Sequence, residues 1–104
     1  MTKLKNALTK PEKNLTFFLQ NIRINGQKRG CSGFIKNNDN NTYIYVNTER
    51  CIYSGVPNYM FRFADNEKDY KGYTNHWADT LPELVAGIHT LLSTNPIEAH
   101  EKRI

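Results

Sequence analysis

The chain is 104 residues long, with a formal net charge of +4 and with 38% hydrophobic and 23% charged residues. Those proportions fit one small globular domain and exclude a disordered chain. No apolar run approaches the roughly 20 residues of a membrane-spanning helix, and residues 1–8 lack the apolar centre of a secretory signal, so a cytoplasmic protein is expected.

Charge is unevenly spread. Residues 1–52 carry nine Lys/Arg against three Asp/Glu, a balance of +6; residues 53–104 carry five against seven, a balance of −2. The basic half suits an anionic partner and the acidic half a basic one. Cys31 and Cys51 form no C-x-x-C pair and have no histidines at zinc-finger spacing. They read as small buried or half-buried residues of a reduced chain.

In chain order, residues 1–8 read as an N-terminal extension, 9–96 as a single domain and 97–104 as a C-terminal tail. Thr9-Lys10-Pro11-Glu12 opens the domain with a helix-capping pattern, because threonine accepts a backbone bond while glutamate reaches back and proline is tolerated in the first turn. Leu15, Phe18, Leu19 and Ile22 then fall at i, i+3, i+4 and i+7, so a helix is expected, stopping at Asn25-Gly26. A strand over residues 17–24, turning at Asn25-Gly26 as a hairpin, competes with it. Strands are expected at 32–36, 42–47 and 58–63. The second alternates Tyr43 and Tyr45 with Ile44 and Val46; the third alternates Tyr59, Phe61 and Phe63 with Met60 and Arg62. The Asn/Asp run 37–41 reads as a turn, and Ser54-Gly55-Val56-Pro57 as a break. A second capping pattern, Thr80-Leu81-Pro82-Glu83, starts a helix whose stripe is Leu84, Val85, Ile88, Leu91 and Leu92 and which ends before Pro96; Gly87 beside that stripe permits close approach to a sheet. The expected fold class is α+β: a three-stranded antiparallel sheet with two helices, in the order α-β-β-β-α.

Three residue sets bear on function. The loop 25–33 spaces its glycines G-x-x-x-G-x-x-G, neither a P-loop nor the dinucleotide fingerprint, and it is expected after a helix, whereas a nucleotide cradle precedes one. It remains a basic loop in which Arg23, Lys28 and Arg29 meet phosphates or carboxylates. On the sheet, if the helices cover the face bearing Phe61 and Phe63, Tyr43, Tyr45 and Arg62 stand on the other, as a stacking platform for bases or a protein contact; strand register, which the sequence leaves open, decides between the faces. In residues 65–77, the D-x-E-x-D start lacks the glycine and the closing acid of a calcium loop. There Tyr70, Lys71 and Tyr73 are expected on a partner-facing loop and Trp77 at the junction of sheet and helix. His76, near Asp69 and Asp79, is the candidate for any acid–base chemistry, whereas His89 and His100 lack metal-ligand spacing. No cofactor or metal is expected.

The element order and basic balance resemble the double-stranded-RNA-binding domain over residues 9–93. That family carries a lysine-rich start to its second helix, where this chain reads Ala78-Asp79-Thr80-Leu81-Pro82-Glu83; no residue role carries over. In size and in its Asn/Lys-rich composition the chain resembles small accessory proteins of phages and mobile elements, among them anti-CRISPR and other anti-defence inhibitors. That resemblance implies a protein of a bacterial host cell that binds a nucleic acid or a host nucleoprotein complex and is not an enzyme. The alternatives are direct, sequence-tolerant DNA or RNA binding, or a small nuclease using His76.

Overall fold

The computed structural model describes residues 2–9, 14–48, 58–70 and 73–94. The first capping pattern after Thr9, the break at 54–57, the tail, Cys51, Lys71 and His100 lie outside them. The chain is α+β, as expected, but its antiparallel sheet has five strands rather than three. Helix α1 spans Thr2–Thr9 and strand β1 Leu15–Ile24; β2 is Gln27–Asn37, β3 Thr42–Asn47, β4 Tyr59–Ala64 and β5 His76–Ala78; helix α2 spans Leu81–Leu92. The strands lie side by side in sequence order, each antiparallel to the last.

The helix expected from Leu15 is therefore a strand, and the competing hairpin is what forms. Phe17, Phe18, Thr16, Ile22 and Ile24 favour a pleated surface. Asn25 (φ 52°) and Gly26 (φ 80°) both adopt positive φ, the backbone of a two-residue turn whose twist matches antiparallel strands. Ile24 consequently pairs with Gln27. The basic loop 25–33 thus follows a strand, not a helix, and most of it is strand itself.

Alternation assigns the two faces. Along β3, Thr42, Ile44 and Val46 are buried while Tyr43, Tyr45 and Asn47 are half-buried. Ile35, Ile44 and Phe63 stand in register across β2, β3 and β4, and with Val46, Phe61 and Cys31 they meet Leu84, Ile88, Leu91 and Leu92 of α2. Leu4 and Leu8 of α1 join the same core. Burying each such aliphatic or aromatic side chain contributes about 1.5–3 kcal/mol before chain entropy is subtracted. Gly87 of α2 lies against the Phe61 ring with no space for a side chain.

Helix α2 begins as its sequence predicts. The Thr80 hydroxyl accepts from the Glu83 amide at 3.2 Å, and the Glu83 carboxylate accepts from the Asp79 amide at 3.2 Å. Its other end is held from the sheet. The side-chain amides of Asn37 and Asn40 each donate to the Leu92 carbonyl at 2.9 Å, satisfying a group the helix itself leaves unbonded. The Asn-rich run is thus a turn, as expected, and a helix stop as well.

Candidate functional site

The face of the sheet turned away from the helices carries a lateral row of large side chains. Phe18 on β1 pairs with Phe34 on β2, Phe34 with Tyr45 on β3, and Tyr45 with Arg62 on β4. Tyr70, from the segment after β4, stands over the middle of the row. Its ring centroid lies 5.3 Å from that of Phe34 and 5.9 Å from that of Tyr45, both edge-on, and the Phe34 and Tyr45 rings are 5.0 Å apart. These separations and tilts are the favoured ones for aromatic pairs. The hydroxyl of Tyr45 accepts from the Asn47 side-chain amide at 3.0 Å, which orients the ring.

The row ends in a buried cation. The Arg62 guanidinium lies 4.9 Å from the Tyr45 ring centroid and donates to the Phe63 carbonyl at 2.9 Å and the Asp69 carbonyl at 2.7 Å. With 2% of its surface exposed, Arg62 sits on the expected face but is no contact residue; it ties the segment bearing Tyr70 to the sheet. Tyr73 also departs from expectation. It is buried in the core, where its hydroxyl donates to the Asp65 carboxylate. Burial first, then the hydrogen bond to Asp65 and the negative charge of Asp65 and Asp69, push its hydroxyl up to about 12.

Other expected site residues scatter around this row. Tyr43 occupies the neighbouring row with Lys36, whose Nζ lies 5.5 Å from its ring centroid. Tyr70 is 70% exposed. Trp77 is not at the sheet–helix junction: it pairs with Met60 and is 48% exposed on the open face. Arg23 is exposed near the hairpin turn and donates to the Gly26 carbonyl at 3.2 Å. Lys28 pairs with Arg23 through the backbone, and the register slips by one between Ile22 and Arg23, so that Arg29 is skipped; the side chains of Lys28 and Arg29 lie outside the described ones. The last bonds of β2 toward the β3 side are those of Cys31 with Thr48, so residues 22–30 run on as a two-stranded arm among the described residues. His76 lies on the helix side, its ring stacked on Phe61 at 5.4 Å.

Between β1 and Tyr70 the open face is concave, enclosing about 220 Å³. Phe18, Phe34, Tyr45 and Tyr70 supply aromatic walls, and Gln20, Ser32 and Glu67 the polar groups. Gly33 makes the floor possible: at φ +143°, an added Cβ would run into the Phe18 carbonyl, so only glycine lets the strands approach there. Phe18, Phe34 and Glu67 were not among the sequence candidates. Their signal lay in strand register, which the helical reading of β1 concealed. Among the described residues no group of three or more His, Cys, Asp or Glu is placed to hold a metal ion, and no helix is long and apolar enough to cross a membrane.

Compared with protein-family models, curated proteins and solved structures, the chain matches none.

Proposed function

We propose that this chain is a binding protein of the phage or mobile-element type, engaging a host nucleoprotein complex through the open face of its sheet, in the manner of an anti-defence inhibitor such as an anti-CRISPR. One observation carries this reading. The row Phe18–Phe34–Tyr45, with Tyr70 across it, leaves large aromatic surface facing solvent, Phe18 at 42% and Tyr70 at 70% exposure. Exposed aromatic groups around a concavity are what a docking surface requires and what a self-sufficient domain avoids. The test compares wild type with a Phe18→Ala/Tyr70→Ala double variant in pull-downs from host lysate, reading protein and nucleic acid together. The expected result is capture of a nucleoprotein complex by wild type and at least tenfold less by the double variant. Equal capture by both, or none by wild type, overturns the reading.

A second reading, direct nucleic-acid binding, is favoured by one feature: Arg23, Lys28 and Arg29 are gathered on the two-stranded arm. It requires binding to oligonucleotides that weakens steeply with salt and is lost in Lys28→Ala/Arg29→Ala. A nuclease using His76 is the third reading. It has to work with an imidazole stacked under the helix side of the sheet, and turnover retained by His76→Ala removes it.

A further inference from the structure

We infer that the groove between Phe18 and Tyr70 receives a cationic side chain of a protein partner, with an arginine guanidinium as the best-fitting group. This rests on the reading that the open face is the binding face, and it names what enters it.

The chemistry of the lining is the first argument. Four aromatic residues, Phe18, Phe34, Tyr45 and Tyr70, surround about 220 Å³. The negative faces of such rings attract a cation, and a flat guanidinium also stacks on them. Charge is the second. Glu67 is the sole charged residue of the lining, it is half-buried, and it makes no hydrogen bond or ion pair with any of the described residues. A carboxylate in that setting is stabilised by a cation that arrives with its own donors. Residues 65–70 carry Asp65, Glu67 and Asp69 against Lys68, a balance of −2. Within the lining itself, the Glu67 carboxylate disfavours a phosphate and favours an ammonium or guanidinium.

The third argument is a precedent inside the fold. Arg62 shows how this row holds a guanidinium, packed on Tyr45 and donating to carbonyl oxygens of Phe63 and Asp69. Arg62 does not line the groove, being buried beyond Tyr45. On the other side of the row Phe18 and Tyr70 offer ring surface, Glu67 the carboxylate, and Gln20 and Ser32 neutral acceptors.

The experiment titrates the full chain with three probes, following the ring signals of Phe18 and Tyr70 by NMR. The probes are a short glycine–serine peptide with one central arginine, the same peptide with citrulline (equal in shape, without charge), and a thymidine oligonucleotide. The arginine peptide is expected to shift both rings at millimolar concentration, and citrulline to bind at least fivefold more weakly. Glu67→Gln, which keeps the shape of the side chain, is expected to weaken the arginine peptide about fivefold, the size of one partly exposed charge pair. Glu67→Lys should abolish it. Equal binding of arginine and citrulline, no effect of Glu67→Gln, movement of these rings by the oligonucleotide alone, or no movement with any probe each overturns the inference. If the lysate pull-down still separates wild type from Phe18→Ala/Tyr70→Ala, only the occupant is wrong. If it does not, the binding face is wrong as well.

Discussion

The two faces of this sheet are written by the same strands, yet they are stabilised by different means. On the helix side, Ile35, Ile44, Val46, Phe61 and Phe63 disappear beneath Leu84, Ile88, Leu91 and Leu92. On the other side no helix arrives among the described residues. Phe34 is buried there only because Tyr45 and Tyr70 close over it, and Tyr70 is held in place by Arg62 bonding to the Asp69 carbonyl. One face excludes water with mass; the other does so with a few side chains at a single row, and leaves its rim open. Stability should therefore reside in the first face and recognition in the second.

That division can be broken by substitution. The largest loss of stability should come from Phe63→Ala, which empties a fully buried site on the covered face: about 3–5 kcal/mol by urea unfolding, with no specific effect on binding beyond unfolding. Gly33→Ala should cost about 2–3 kcal/mol, because it forces a Cβ into the Phe18 carbonyl at a positive φ, and it should spoil the groove too. Tyr73 tests how far burial reaches under the acidic segment. Its folded pKa, about 12, stands above the unfolded value near 10. The stability it contributes is thus whole below pH 10 and is lost as pH rises through 12, roughly 2–3 kcal/mol that Tyr73→Phe should not lose over the same window. Arg62→Met should cost about 1–3 kcal/mol, since two carbonyls lose their charged donor, and Tyr70 signals should broaden. At the small end, Tyr70→Ala should cost about 1 kcal/mol, the size of its edge-on contacts with Phe34 and Tyr45, while weakening any open-face ligand. A Tyr70→Ala loss as large as that of Phe63→Ala would erase the distinction between the faces.

Much of the covered face could be read in advance. The period-2 alternation of β3 and the Thr80 cap with the Leu84–Ile88–Leu91 stripe carry unambiguous local signals, and both elements stand where expected. At β1 the sequence supports helix and strand alike, because Leu15 and Leu19 satisfy either period, while Phe17 and Phe18 put an aromatic on each face. Apolar groups on both sides of an edge strand imitate a helical stripe. Strand β2 hid its length behind Gly30, Ser32 and Gly33, and β5 is only three residues long.

The groove was harder to foresee, although Tyr45 and Tyr70 were singled out. Counting outward from the Asn25-Gly26 turn sets Phe18 against Gly33. The one-residue slip between Ile22 and Arg23 moves it opposite Phe34 and so assembles the row. Arg62 and Tyr73 looked accessible because alternation and loop position say nothing of what folds over a residue afterwards. In the structure, the segment after β4 covers Arg62, and the Asp65 carboxylate holds Tyr73 inward.

The asparagine turn has a consequence for motion. Since Asn37 and Asn40 both grip the Leu92 carbonyl, the last turn of α2 and the β2–β3 turn form one mechanical joint. Neither can fray without releasing the other. Amide protons at the two places should therefore open to solvent as a single event, although more than fifty positions separate them in the chain.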